Sequence, residues 1–113
     1  MQINTLKNLQ DILNAIVEIN SFFEGRKMLY EDFCNNLLLR RGIERNIEII
    51  GEATNRILKE NADIKITNAR KIVDARNYIS HGYDSVSEDI IWSIVVNHLP
   101  KLKTEVESLL DQK

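Results

Sequence analysis

Residues 76–83, with the sequence RNYISHGY, bring together side chains that could act on a phosphodiester. Arg76 keeps its charge, and its planar guanidinium offers paired donors that suit phosphate oxygens. His81 carries an imidazole, which titrates near neutrality and can serve as a proton acceptor or donor. These two groups could move a proton beside a phosphate without a metal ion. The segment is therefore the candidate site of the chain.

The spacing within this segment leaves its geometry open. If the segment is helical, successive side chains turn by about 100°, so Arg76 and Ser80 share a face while His81 points roughly 140° away from Arg76. The helix could end at His81 with Gly82 as its left-handed C-terminal cap. A second copy of the chain could instead supply the missing group, and both arrangements can hold together.

A purely structural interpretation of the same residues also exists. An arginine and a histidine five residues apart at a helix end occur often by chance, and His81 could simply cap the helix. Tyr78 is interpreted first as a packing residue, with stacking on a base as the alternative. His98, the second histidine, is interpreted as a surface or capping residue.

Composition places the chain in a broad class. Its 113 residues suit a single domain, 1–113, and 43% apolar with 28% charged residues is ordinary for a soluble protein. The net charge of −2 creates no general attraction for nucleic acid, so such binding would need a local patch. The single cysteine, Cys34, excludes an internal disulfide and is interpreted as an inert packed thiol. No apolar run approaches the length of a membrane span, and a cytoplasmic location is expected.

Apolar residues recur at helical spacing along almost the whole chain. The pattern predicts an all-α fold, an antiparallel up-and-down four-helix bundle, with the fourth helix kinked near Pro100 because proline lacks an amide donor. Gly42 is expected to mark a bend in the second helix, and Gly51 a close crossing between helices. The predicted helices cover residues 3–23, about 30–61, 69–81 and 85–110.

Four arginines give the second helix a basic side: Arg40, Arg41, Arg45 and Arg56. Such charges usually form a solvated face, and a patch for the phosphate backbone beside Arg76 is the alternative. No histidine or cysteine spacing typical of a metal site occurs, and no glycine-rich phosphate loop is present. Neither a metal nor another cofactor is expected.

Three blocks of the sequence resemble the HEPN-domain toxins of the HepT type. The first is the motif Arg76-x4-His81-x-Tyr83, with Asn77 after the arginine and Gly82 before the tyrosine. The second, residues 43–57 (IERNIEIIGEATNRI), is similar to a second-helix block of that family, and the third, residues 87–102 (SEDIIWSIVVNHLPKL), to its fourth-helix block. Three blocks in the same order are a far more specific signal than the short motif alone.

The resemblance implies a HEPN-like bundle that forms a homodimer, with two copies of the motif facing one cleft. It also implies a metal-independent ribonuclease toxin, in which His81 handles a proton on the ribose 2′-hydroxyl or the leaving oxygen and Arg76 stabilises charge on the scissile phosphate. The implied partner is a minimal nucleotidyltransferase antitoxin, which would silence the toxin by transferring AMP to Tyr83.

Further residues are assigned supporting roles beside that motif. Asn77 and Ser80 are expected to contact phosphate or to support the motif, and Arg45 belongs to the possible RNA-binding patch. Glu52 could orient a motif group or be a buried structural carboxylate. Two other functions stay open: a non-catalytic HEPN module that binds a nucleotide or the nucleotidyltransferase, and a plain dimeric helical adaptor.

Overall fold

The computed structural model describes residues 2–80 and 85–112, and within them all regular structure is helical. The last three elements follow one another without a break, so they form one long helical rod. Together with three other long helices, this rod makes the predicted antiparallel four-helix bundle, and one further short helix packs beside it. The elements are α1 (Ile3–Ser21), α2 (Tyr30–Asn35), α3 (Leu37–Glu60), α4 (Ala69–Ser80), α5 (Ser85–Ser93), a π-helical segment (Ile94–His98) and α6 (Leu99–Asp111).

Side-chain contacts show that neighbouring long helices run in opposite directions. Near the start of α1, Thr5 Oγ1 donates a hydrogen bond of 3.0 Å to Glu60 at the end of α3. Near the end of α1, Asn46 Nδ2 donates to Glu18 over 2.7 Å. The segment just before α4 is tied to the middle of α6 in the same way, because Thr67 Oγ1 donates to Glu105 over 2.6 Å.

The core is built from one apolar stripe on each long helix. Leucine and isoleucine dominate it, and burying each such side chain stabilises the fold by about 1.5–3 kcal/mol. None of the described helices is both long and apolar enough to cross a lipid bilayer. Fully buried members of the core include Leu9, Ile12, Ile16, Ile43, Ile47, Ile50, Ile57, Ile72, Ile91 and Leu102.

The predicted second helix, residues 30–61, is not continuous. Asn36 takes an extended conformation between α2 and α3, and its side chain accepts a 3.1 Å hydrogen bond from the backbone N–H of Leu39. Asparagine at this position caps the new helix by satisfying an amide that would otherwise lack a partner. Helix α1 also ends earlier than predicted, at Ser21, and the chain then turns through Gly25, which has a left-handed φ of +76°.

The predicted bend at Gly42 is wrong. Gly42 lies inside the regular helix α3, where an added Cβ would stand 3.0 Å from Cε2 of Phe22. Its role is therefore to leave room for the phenylalanine ring, and the interruption that the sequence suggested lies at Asn36 instead.

The predicted break near Pro100 takes the form of a change in helix winding. The N–H of Leu99 donates to the carbonyl of Ile94, five residues earlier, which defines a π-helical turn. Pro100 then stands at the beginning of α6, where a missing amide donor costs little.

Candidate functional site

Arg76 lies where α4 packs closely against Gly51 of α3. A Cβ added to Gly51 of α3 would lie only 2.7 Å from Cβ of Arg76 and 3.3 Å from the carbonyl oxygen of Ile72. The close crossing predicted at Gly51 is therefore confirmed. Because Cβ of Arg76 packs against the backbone of α3, the packing of the two helices sets the direction of the arginine side chain.

Glu52, the residue after Gly51, lies between two guanidinium groups. Its Oε1 is 3.9 Å from Nε of Arg76, and its Oε2 is 3.8 Å from Nη2 of Arg56. The side chains of Glu52 and Arg76 remain 37% and 34% exposed, so the carboxylate is not the buried structural group considered as an alternative. Both distances exceed that of a hydrogen bond, and this leaves the pairing mainly electrostatic.

The other predicted site residues fall into two groups. Arg45 is exposed and precedes Glu52 by about two helical turns, so both point to the same side of α3. Asn77 is exposed on α4, next to Arg76. Ser80 ends α4, but its side chain, like His81 and Tyr83, lies outside the described residues. The structure therefore brings together Arg76, Glu52 and Arg56, and leaves the position of the histidine untested.

Not every arginine on the predicted basic side is available to a phosphate. Nη1 of Arg40 donates a 2.8 Å hydrogen bond to Glu88 of α5, and its Nε lies 3.7 Å from Glu44. Arg41 also lies near Glu44, at 3.4 Å. Arg40 thus fastens α5 to α3, whereas Arg45 and Arg56 stay exposed on the side of α3 that carries Glu52.

An aromatic cluster also anchors α5, the helix that follows the motif. Trp92 stacks on Phe33 with ring centroids 5.5 Å apart and meets the edge of Phe23 at 6.1 Å. The hydroxyl of Tyr30 donates a hydrogen bond to Asp89, and this bond raises the pKa of Tyr30 above its ordinary value. Burial raises the pKa of the Cys34 thiol, which agrees with an inert packed cysteine.

A pocket of about 380 Å³ lies on the other side of α4, and it was not predicted from the sequence. Tyr78 follows Arg76 by two residues, so the two side chains leave α4 about 200° apart. The side chains that line the pocket from α4 recur every three or four residues, and this spacing is the signal that could have indicated a shared face. The main lining residues are Lys71, Asp74, Tyr78, Asp89, Ile94 and His98.

His98 is not simply a surface residue, because it borders this pocket and contacts the start of α4. Its Nδ1 is 3.3 Å from Nδ2 of Asn68, and the asparagine amide can only donate at that position. The proton of the neutral ring is therefore assigned to Nε2. Burial, followed by the charge of Lys71, lowers the pKa of His98 below its ordinary value, so the ring is neutral at pH 7.

Among the described residues, no three histidine, cysteine, aspartate or glutamate side chains are grouped as metal ligands would be. The chemistry that the described part can offer consists of a fixed guanidinium, an adjacent carboxylate and further exposed arginines. The guanidiniums can hold and neutralise a phosphate, and the carboxylate can orient the arginines beside it.

Comparison with known proteins places this geometry in context. The family model described as "Ribonuclease HepT-like" matches residues 12–109. A protein from Methanocaldococcus jannaschii that is named as a candidate RNase (MJ1380) is 34% identical over 101 residues, which cover 88% of this chain and 90% of the relative. A protein from Thermococcus cleftensis named probable ribonuclease HepT is 31% identical over 105 residues, covering 89% and 91% of the two chains. No solved structure shows a significant match.

Proposed function

Because this chain belongs to the HepT-like ribonuclease family, we propose that it is a metal-independent endoribonuclease that acts as the toxin of a toxin–antitoxin pair. Arg76 and His81 are the catalytic residues of this proposal. The observation that carries it is the environment of Arg76. Its Cβ is fixed by the close crossing at Gly51, and Nε of its half-exposed guanidinium faces the Glu52 carboxylate. A preorganised cation of this kind is what a phosphoryl transition state requires.

In the proposed reaction, a neutral imidazole of His81 removes the proton from a ribose 2′-hydroxyl. The 2′-oxygen attacks the adjacent phosphorus, and the bond from phosphorus to the 5′-oxygen breaks as a protonated imidazole gives its proton to that oxygen. Arg76 donates hydrogen bonds to the non-bridging oxygens, on which negative charge grows. Metal is not needed, because the nucleophile belongs to the substrate and the guanidinium supplies the positive charge.

Glu52 acts in this proposal as a positioning residue. Its carboxylate oxygens lie within 3.9 Å of nitrogen atoms of Arg76 and Arg56, and their negative charge offsets part of the repulsion between the two guanidiniums. Since these contacts are longer than hydrogen bonds, the N–H donors of Arg76 stay available for a phosphate. Arg45, exposed on the same side of α3, extends positive charge along the path of an RNA backbone. Asn77 and Ser80 would add polar contacts from α4.

The proposal is tested by incubating the purified protein with single-stranded RNA in EDTA. We expect cleavage that continues in the chelator and yields 2′,3′-cyclic phosphate and 5′-hydroxyl ends, detected by mass spectrometry of the fragments. A mock preparation from cells with an empty vector reports contaminating nucleases. If RNA stays intact with protein in excess, while the nucleotidyltransferase partner still binds, the chain is a non-catalytic module.

A homodimer is part of the proposed mechanism. On a regular helix Arg76 and His81 diverge by roughly 140°, so a second copy offers the simplest way to bring both groups to one phosphate. Two imidazoles could then divide the roles of base and acid. Multi-angle light scattering at micromolar concentration should report the mass of a dimer. A strict monomer that still cleaves RNA would contradict the shared cleft.

The proposed antitoxin is a minimal nucleotidyltransferase that transfers AMP to Tyr83. A bulky anion beside the site would exclude RNA by its size and charge. Co-expression with the nucleotidyltransferase should add the mass of one AMP group per chain and abolish cleavage, and Tyr83→Phe should prevent both effects. The matched variant Tyr30→Phe should still be modified. A modification found on Tyr30 or Tyr78 by peptide mass spectrometry would overturn the assignment to Tyr83.

A further inference from the structure

A pocket with the dimensions of a small-molecule site lies between α4 and the first two elements of the helical rod, which are α5 and the π-helical segment. Its volume of about 380 Å³ falls within the range of roughly 300–1,000 Å³ that is typical of such sites. Ile90 and Ile94 give it apolar walls, and Tyr78 contributes an aromatic ring. These surfaces suit a flat, partly apolar ring system better than a flexible chain.

The charges that border the pocket are unfavourable for a phosphate. Asp74 and Asp89 contribute two carboxylates, Lys71 contributes one ammonium group, and His98 is neutral at pH 7. The lining side chains therefore carry a net charge of −1, and they present more hydrogen-bond acceptors than charged donors. A ligand with N–H groups on its edge fits this pattern, whereas an anion does not.

Nucleobases differ in how well they meet this requirement. Guanine offers adjacent imino and amino N–H groups that a carboxylate can accept together, and adenine and cytosine each offer an exocyclic amine. Uracil has a single N–H between two carbonyl oxygens, which a carboxylate repels. Asp89 already accepts the hydroxyl of Tyr30, which fixes its orientation, while Asp74 is exposed on α4 at the edge of the pocket.

The pocket also lies where an RNA strand at Arg76 could reach it. Tyr78 is two residues beyond Arg76 and two residues before the end of α4 at Ser80. A strand that passes over this end of the helix, with a phosphate at Arg76, would bring a neighbouring base to the pocket on the other side. Single-stranded RNA is commonly recognised in this way, by bases turned out onto aromatic side chains and hydrogen-bonded on their edges.

We propose that this pocket binds an amino-bearing base of the RNA strand whose phosphate contacts Arg76, and that Asp74 accepts hydrogen bonds from the amine. The proposal rests on the ribonuclease function proposed above. It assigns to the pocket a preference for guanine, adenine or cytosine over uracil next to the cleaved bond. Asp74 is then a specificity-determining residue, and Tyr78 provides the stacking surface.

Binding can be measured without any cleavage. In ¹H–¹⁵N spectra, titration with guanosine, adenosine and cytidine should shift the signals of Asp74, Tyr78 and His98, and at least one of the three should bind about fivefold or more tightly than uridine. Asp74→Asn should reduce that preference about fivefold or more. The matched control is Asp63→Asn, which makes the same change in an exposed loop and should leave the preference intact.

Cleavage of RNA oligonucleotides provides the second measurement. Replacing the preferred base beside the cleaved bond with uracil should lower the cleavage rate in the wild type, and by a smaller factor in Asp74→Asn. Equal binding of all four nucleosides, shifts confined to other surfaces, or no binding would overturn the proposal. If nucleosides bind at the pocket but RNA is neither cleaved nor bound, the pocket is a site for free nucleosides, and both its RNA role and the ribonuclease function fail.

Discussion

Arg76→Ala is expected to lower the rate of RNA cleavage about 100- to 1,000-fold, the usual effect of removing one preorganised donor to a developing charge. The fold should tolerate the change. Alanine keeps the Cβ that contacts α3 at Gly51, and the lost pairing with Glu52 is a half-exposed contact at 3.9 Å. Such pairs contribute at most about 1 kcal/mol to the free energy of unfolding. Rates should be measured under single-turnover conditions, alongside urea unfolding.

The same helix offers a matched control for this substitution. Arg70→Ala removes an exposed guanidinium near the start of α4 and should change the cleavage rate by less than about threefold. His81→Ala should cause a loss as large as that of Arg76→Ala, and the double variant should lose little more, because residues that act as a unit are not additive. Full activity in Arg76→Ala would exclude the arginine from the reaction.

Gly51→Ala is expected to reduce the free energy of unfolding by about 1–2 kcal/mol. Alanine is the better helix former by about 1 kcal/mol, which by itself would stabilise α3. The added methyl group, however, would lie 2.7 Å from Cβ of Arg76 and 3.3 Å from the carbonyl of Ile72, so α3 and α4 must separate. Overpacking usually costs about 1–3 kcal/mol, and an overlap as close as 2.7 Å should cost about 2–3 kcal/mol. Because Arg76 moves with α4, RNA cleavage should fall as well.

Gly42→Ala is the natural comparison, because it makes the same change in the same helix. There the added methyl group meets the ring edge of Phe22 at 3.0 Å, and that side chain is only partly buried at the end of α1. A small ring movement should remove the conflict at a cost of about 0.5–1.5 kcal/mol. This cost offsets the gain of about 1 kcal/mol in helix propensity, so stability should stay within about 0.5 kcal/mol of the wild type. Urea unfolding of both variants checks the difference, and equal values would show that the α3–α4 crossing is not tightly packed.

The sequence predicts most of this fold because apolar residues at helical spacing are unambiguous over long segments. Gly51 was correctly assigned to a close crossing, while Gly42, in the same helix, was wrongly assigned to a bend. The role of each glycine depends on the residues packed opposite it, and a sequence does not show which residues those are. The break at Asn36 was missed because the apolar spacing continues across it, although asparagine is a favourable helix cap.

The candidate site was likewise only partly predictable from the sequence. Arg76 and Glu52 could be selected from sequence because both stand in recognisable blocks, and their proximity follows from the α3–α4 crossing. The pairing of Arg40 with Glu88 could not be foreseen, since it joins helices that are far apart in sequence. The pocket lined by Tyr78 and His98 was missed for the same reason: it exists only once α4 packs beside the rod that contains the π-helical segment.

The wide turn between Ile94 and His98 also sets the rotational phase of the last helix. Ile91 and Leu99 flank this turn, and both face the core. A π-helical turn accommodates one residue more than an α-helical turn, so winding the same residues as a regular α-helix would rotate α6 by about 100° relative to α5. Leu102 and Val106 would then be carried away from the core. The wide turn thus absorbs one residue and keeps two apolar stripes in alignment across the proline.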